Sequence, residues 1–235
     1  LRLREPAQRR VPAAVTLTRV VSDSMVGLTL AVAAVGFAHR RGLDAPTRWL
    51  LAWAVVDAVA TFAGMYTRIV LQNSQHVAQV WYPISTLLAV SVVASSLRHP
   101  GARSAVFAAA VGLGALIVAL TVSVEQFGYF TRYTGAIHGV ALTLGGAIMV
   151  MRRALTGRGE MLTDPSFLIG ACFLIVGAPS AFLALSKWHF PLDEDTRSLA
   201  YTMKNILSIG AYGCMVAAFY HTYRRTTLRT ASILR

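Results

Sequence analysis

The chain has 235 residues, of which 55% are hydrophobic and only 14% are charged, and its mean hydropathy is +0.56. Soluble globular domains carry about 25% charged residues, so this composition excludes a soluble domain and indicates an integral membrane protein. Because a membrane-spanning helix needs about 20 apolar residues, the length allows about seven spans and no separate soluble catalytic domain. The formal net charge is +12. The basic residues flank the apolar runs, which is typical of membrane anchoring and not of nucleic-acid binding.

The apolar runs follow one another at regular intervals and are long and unbroken, as expected of helices in lipid. They predict membrane-spanning helices over residues 20–38, 49–67, 81–97, 104–124, 133–151, 166–186 and 198–220. The predicted fold is an all-α, polytopic membrane helical bundle with about seven transmembrane helices. Its predicted parts are a basic N-terminal segment over 1–19, a single transmembrane domain over 20–220 and a basic cytoplasmic tail over 221–235.

Basic residues are concentrated in the loops after the first, third and fifth helices and in the tail. These are Arg40, Arg41, Arg48, Arg98, Arg103, Arg152, Arg153, Arg158, Arg224, Arg225, Arg229 and Arg235. Because cytoplasmic loops carry the excess of Lys and Arg, the C-terminus is predicted to lie in the cytoplasm and the N-terminus outside, although segment 1–19 is itself rich in Arg. We expect a bacterial inner membrane, and the Ala-rich composition with Arg in excess over Lys suggests a GC-rich genome.

No motif of an enzyme class is present: the sequence has no GxSxG, no HExxH and no Walker loop. Cys172 and Cys214 both lie within apolar runs, which leaves neither a disulfide framework nor a CxxC metal site. We therefore expect a non-enzymatic protein and predict no cofactor.

Ionisable residues inside the predicted helices are the best functional leads, because each costs roughly 2.5–3.5 kcal/mol at mid-helix and normally faces the bundle interior. They are Asp23, Asp57, Arg68, His138 and Lys204. The helical rise places the backbones of Asp57 and Lys204 about 9 Å apart in height, a gap that their side chains can largely close. An intramembrane ion pair is predicted, either as part of a site or only as a lock between two helices.

Asp23, Arg68, His138 and Lys204 fall at one level, near the outer ends of their helices. They lie there with the polar and aromatic residues Tyr66, Trp81, Tyr82, Tyr133, Tyr201 and Asn205, with Glu125 and Tyr129 in the loop above. Apolar walls with a few convergent polar groups are typical of a ligand pocket. The alternative is an interfacial belt in which each side chain reaches water separately. Such a belt also suits Trp49, Trp53, Trp81 and Trp188 near the two membrane surfaces.

His138 lies between glycines in Gly135-Ala136-Ile137-His138-Gly139 and so offers a haem or pigment ligand as an alternative to a hydrogen bond across the bundle. The other histidines map to helix ends or loops, which argues against a bis-His cytochrome but leaves open an inner-surface site of His39, His99 and His221. Pro83 is predicted in a first turn, where Pro is tolerated, and Pro179 is predicted to kink the sixth helix.

A Lys in the last of seven helices invites comparison with retinal proteins, which carry that Lys near mid-helix and a carboxylate counter-ion on the third helix. Here Lys204 lies near the outer end, the third helix has no acid, and Asp57 is on the second. The pattern as a whole looks like the seven-helix input regions attached to some bacterial signalling proteins, although no motif identifies a family.

We therefore expect a sensor- or receptor-like bundle that binds a small or lipid-like ligand in its outer half. Its predicted ligand-binding residues are His138, Lys204, Asn205, Tyr201, Trp81, Tyr82 and Arg68. The expected partners are membrane lipids and a protein in the membrane or at the cytoplasmic face, with no nucleic acid.

Two alternatives stay open. In an accessory subunit of a larger complex, small-residue faces pack against foreign helices, and a small transporter is the third class. Those faces are Gly135/Gly139, Gly145/Gly146 and Gly210/Gly213.

Overall fold

The structure is a computed structural model that describes residues 13–127, 131, 133–156, 160–189 and 193–233. Within the helices, it leaves the side chains of 13–19, 21–23, 187–189, 194, 229–231 and 233 undescribed. The described residues form seven helices and no strand. These helices are α1 (Ala13–Ala38), α2 (Ala45–Val70), α3 (Gln75–Ser96), α4 (Pro100–Leu120), α5 (Tyr133–Thr156), α6 (Pro165–His189) and α7 (Glu194–Ile233). The predicted all-helical bundle is confirmed.

Five of the helices are long and apolar enough to cross a membrane: α2, α3, α4 with its continuation to Glu125, α5 and α6. The described part of α1 contributes a shorter apolar stretch, Ser24–Ala38. The helix ends differ from the predicted ones where polar residues continue a helix beyond its apolar part. Thus α1 begins at Ala13, inside the predicted N-terminal segment, and α7 continues to Ile233, through most of the predicted tail.

Six helices form a closed ring in the order α1, α2, α3, α5, α6, α7, with α7 packed back against α1. The remaining helix, α4, lies outside the ring and packs mainly against α3. The loops after α1, α3 and α5 and the C-terminal part of α7 gather at one end, which we call the basic end. There Thr226 donates a hydrogen bond of 2.9 Å to the carbonyl oxygen of Gly42, and Arg152 donates one of 2.6 Å to that of Ser96.

Side-chain caps fix where helices begin. At α2, the carboxylate of Asp44 accepts a hydrogen bond of 3.1 Å from the backbone N–H of Thr47. At α6, Asp164 accepts bonds of 2.9 and 3.3 Å from the backbone N–H groups of Ser166 and Phe167. These caps occupy N–H groups that the helix itself leaves without partners.

Helices α5 and α6 approach each other most closely, because glycines remove the side chains between them. A Cβ at Gly146 would lie 2.6 Å from the carbonyl oxygen of Gly170, and one at Gly139 would overlap the backbone of Ala181. Gly135 lies against Tyr82, and Gly145 against Val93. Four of the glycines expected to face foreign helices therefore pack within the chain, and that part of the accessory-subunit prediction is wrong. By contrast, Gly210 and Gly213 have open space around them.

The tightly packed core fills the half of the bundle next to the basic end, around Leu50, Phe173, Met215 and Phe219. In the opposite half, α3 begins at Gln75, earlier than predicted, so Pro83 lies inside the helix and not in its first turn. Pro83 has no N–H to bond to the carbonyl oxygen of Gln79. Separately, the side-chain amide of Gln79 donates a hydrogen bond of 3.0 Å to the carbonyl oxygen of Gln126, which connects α3 to the segment before α5.

Candidate ligand-binding site

A cavity of about 340 Å³ lies inside the ring, in the half of the bundle opposite the basic end. All six ring helices contribute to its wall, and α4 does not. Arg68 and Ser74, at the adjoining ends of α2 and α3, mark its outer margin, and Trp53 and Tyr212 mark its inner end. The volume is near the lower end of the range of roughly 300–1,000 Å³ that is usual for ligand pockets.

Seven of the eight residues predicted for the ligand site or the ion pair line this cavity. They are Asp57, Arg68, Trp81, Tyr82, His138, Lys204 and Asn205. The eighth, Tyr201, is not among the lining residues, and Tyr66 points away, with 59% of its surface exposed. The side chain of Asp23 and the whole of Tyr129 lie outside the described residues. The structure thus brings together residues from four helices that are far apart in sequence.

His138 forms a polar corner in the cavity wall on α5. Its side chain is buried, with 1% exposure, and its Nδ1 shares a hydrogen bond of 2.8 Å with the hydroxyl of Thr86 on α3. Trp81 and Tyr82 pack against the imidazole, with ring centroids at 4.8 and 5.1 Å. Among the described atoms, His138 Nε2 and Trp81 Nε1 are buried and have no hydrogen-bond partner. Neither nitrogen has surface open to a water-sized molecule, so this corner of the wall is tightly packed.

Asp57 forms a second polar position at the inner end of the cavity. Its carboxylate is buried and accepts a hydrogen bond of 2.7 Å from the hydroxyl of Tyr212 on α7. Beside it, Trp53 donates a hydrogen bond of 2.7 Å to the hydroxyl of Ser85 and packs edge-on against Phe173. Trp53 is fully buried, so its predicted place at the membrane surface is wrong. Its indole packs across the ring because Ser85 provides a partner for the N–H.

Lys204 lies on the α7 side of the cavity, within electrostatic range of both Asp57 and His138. The structure therefore brings the two members of the predicted ion pair to one cavity. Direct pairing of Asp57 with Lys204 stays a prediction.

Glu125 has a structural position beside the cavity. It is buried, and its carboxylate accepts bonds of 3.1 and 2.6 Å from the backbone N–H and the hydroxyl of Thr134. It therefore holds the start of α5, four residues before His138, close to the end of α4.

The described residues contain no group of three or more His, Cys, Asp or Glu side chains that could hold a metal ion. His39 packs against Tyr223, and His221 against Tyr220. The inner-surface site that the sequence left open for His39, His99 and His221 is therefore not assembled.

Sequence reasoning did not single out Tyr212, Thr86 or Ser85, which bond to the side chains of Asp57, His138 and Trp53. The one sequence feature that could have identified them is a hydroxyl group in the middle of a predicted helix. Such hydroxyls commonly bond to the carbonyl oxygen four residues earlier, as Thr143 does to Gly139, and then carry no information about the site.

Comparison of the chain with models of protein families, with curated proteins and with solved structures gave no match. The function therefore has to be inferred from the geometry of the cavity.

Proposed function

We propose that this protein is a non-enzymatic, receptor-like membrane protein that binds a small molecule in the ring cavity. The observation that carries the proposal is a cavity of about 340 Å³ that all six ring helices line and in which three ionisable residues from three helices meet, Asp57, His138 and Lys204. Ionisable residues are costly inside membrane helices and by default mark a functional site. A cavity with a few convergent polar groups in its wall is typical of a ligand site.

The division of the bundle supports a receptor. The buried apolar core lies in one half and the cavity in the other, and α7 runs through both halves. It carries Lys204 in the cavity wall and continues to Ile233 at the basic end. A shift of α7 on ligand binding would therefore be passed along one helix to the surface that we place in the cytoplasm of a bacterium. A protein partner at that surface would receive the signal.

The chemistry of the wall supports binding over catalysis. A nucleophile needs a base within hydrogen-bond reach and access to the substrate. The hydroxyl of Thr86 does contact His138, but Thr86 is fully buried and is not a lining residue of the cavity. The hydroxyl that contacts His138 is therefore not placed to attack a molecule in the cavity.

The test uses a glycine whose replacement by a larger residue would fill the cavity without a steric clash. Gly64 lines the cavity, and a Cβ there meets no atom within 4 Å. The matched control is Gly112, on the exposed α4, which also has open space. We would purify the native chain, Gly64→Leu and Gly112→Leu gently from membranes, and identify every co-eluting small molecule, lipid, pigment and protein by mass spectrometry and absorption.

We expect a small molecule to co-purify with the native chain and with Gly112→Leu. The same molecule should be absent from purified Gly64→Leu. Loss of a small molecule from both variants, or from neither, would contradict it. A coloured sample, or partner proteins retained in fixed proportion, would favour the accessory-subunit alternative.

A further inference from the structure

Near the basic end, α2 and α4 meet through two aromatic rings on the outside of the ring of helices. Trp49, near the start of α2, lies edge-on to Phe107 of α4, with ring centroids 6.4 Å apart. Both helices also pack against α3. On α4, one turn before Phe107, the guanidinium of Arg103 lies 5.8 Å from the centroid of the Phe107 ring. We call Trp49, Arg103 and Phe107 the α2–α4 junction.

The α2–α4 junction presents hydrogen-bond donors that the described part of the protein does not use. Arg103 is exposed, and 37% of the surface of Trp49 is exposed. Among the described atoms, no hydrogen bond or ion pair involves the guanidinium of Arg103 or the indole N–H of Trp49. A cation and a neutral donor from two helices are therefore open to a molecule that approaches from the membrane side.

The other arginines at the basic end differ from Arg103. Five of the described ones donate to a carbonyl oxygen or pair with a carboxylate of the chain: Arg40, Arg48, Arg152, Arg153 and Arg225. Of the described arginines there without such a bond, Arg103 is the one that has an aromatic ring beside its guanidinium. It therefore combines an unused positive charge with an apolar surface.

The charge of the basic end favours an anionic partner. Its described part contains nine arginines but only three carboxylates, those of Asp44, Glu160 and Asp164. Asp44 and Asp164 cap helices, and Asp164 also pairs with two arginines. Anionic lipid headgroups are attracted to such surfaces, and basic pockets between membrane helices are known to bind them. The planar fork of an arginine also matches the geometry of a phosphate.

The surroundings of the α2–α4 junction favour a lipid over a soluble anion. Exposed apolar side chains continue along the helices, with Val55 on α2 and Val111 on α4 one to two turns beyond the two rings. An indole that is part exposed and carries a free N–H is typical of the boundary between lipid and water. A molecule with both a phosphate and acyl chains can cover the donors and the apolar side chains together.

We infer that the α2–α4 junction binds an anionic phospholipid. The phosphate accepts hydrogen bonds from Arg103, an ester oxygen accepts the indole N–H of Trp49, and an acyl chain lies against Phe107. This site is on the outside of the ring, so it is independent of the ring cavity and of the proposed function.

The experiment measures lipid binding to the detergent-solubilised full chain by native mass spectrometry. The probes are dioleoylphosphatidylglycerol, which is anionic, and dioleoylphosphatidylcholine, which has the same chains and no net charge. We expect the native chain to bind the anionic lipid more tightly by about fivefold or more, the effect of one arginine near a headgroup. Arg103→Gln should reduce this preference to about twofold or less. Arg224→Gln, which removes an exposed arginine of the basic end on α7, is the matched control and should keep it.

Brominated forms of the two lipids locate the site, because bromine quenches tryptophan fluorescence on contact. The difference in fluorescence between the native chain and Trp49→Phe gives the signal of Trp49. In mixed micelles, brominated phosphatidylglycerol should quench that signal at a lower mole fraction than brominated phosphatidylcholine does. Arg103→Gln should remove the difference between the two lipids.

Equal affinity of the native chain for the two lipids, or equal quenching of Trp49 by their brominated forms, would overturn the inference. A preference that Arg103→Gln retains, or that Arg224→Gln loses to the same extent, would also overturn it, because the attraction would then belong to the whole basic end. Both measurements on the native chain and Trp49→Phe decide the matter even where Arg103→Gln does not fold. Gly64→Leu should bind both lipids as the native chain does, so its co-purification result tests the proposed function alone.

Discussion

Asp164 is the residue whose replacement gives the most detailed prediction, because it makes two kinds of contact with separate oxygens. Its Oδ1 caps α6 through the N–H groups of Ser166 and Phe167. Its Oδ2 lies 3.2 Å from Arg153 Nε on α5 and 3.4 Å from an amino nitrogen of Arg225 on α7. One side chain thus connects three helices at the basic end.

The two contributions can be estimated separately. Replacing a capping Asp with Ala typically costs about 1 kcal/mol. Each ion pair contributes up to about 1 kcal/mol at an exposed site, and the Arg225 side chain is half exposed. Asp164→Ala should therefore lower the free energy of unfolding by about 1–3 kcal/mol, equivalent to about 2–12 °C in Tm for a chain of this size. Asp164→Asn keeps the cap, so it should lose only the ion pairs, up to about 2 kcal/mol.

The assay is thermal unfolding of the purified variants in neutral detergent, followed by circular dichroism, at low and high salt. The deficit of Asp164→Asn should shrink in high salt, because screening weakens the native ion pairs. The further deficit of Asp164→Ala should not change, because a hydrogen-bonded cap depends little on salt. Equal Tm values for Asn and Ala, or a loss below 1 °C for Ala, would refute this account of the basic end.

Three further predictions concern the cavity, the packing and the orientation. Lys204→Met should destabilise the bundle, and adding Asp57→Asn should restore about 0.5–3 kcal/mol of that loss; a double variant equal to the sum of the singles would show that the pair does not interact. Gly139→Ala should lower Tm through overlap with α6, whereas Gly210→Ala, in open space, should match or exceed the native Tm. Glu160→Cys, in the exposed α5–α6 loop, should resist a membrane-impermeant maleimide on intact cells and react after lysis; labelling on intact cells would reverse the orientation.

The course of the helices was predictable from the sequence, because apolar runs of bilayer length can form little else in lipid. The residues at which the helices begin and end were less predictable. Hydropathy follows the lipid-facing part of a helix, and α7 continues to Ile233 with polar residues that hydropathy assigns to a tail. Pro83 was misplaced for the same reason, since the polar residues from Gln75 onward belong to α3.

Most of the polar residues that line the cavity were predictable from the sequence. The hydrogen-bond partner of each one was not. The high cost of an ionisable group in lipid directs Asp57, His138 and Lys204 inward whatever their neighbours are. Which partner each one finds depends on the rotation of each helix about its axis, which tertiary packing sets. Trp53 shows the difference, because an indole near a helix end suits the membrane surface as well as a buried bond to Ser85.

The close approach of α5 and α6 determines which parts of the ring can move. Where the backbone of one helix touches that of the other, as at Gly139 and Gly146, no side chains remain that could change rotamer and allow sliding. The α5–α6 pair is therefore the rigid part of the ring, and it fixes the position of His138 on α5. A change in the width of the cavity is therefore expected on the opposite side of the ring, where α1 and α2 lie, and in α7 beside α1.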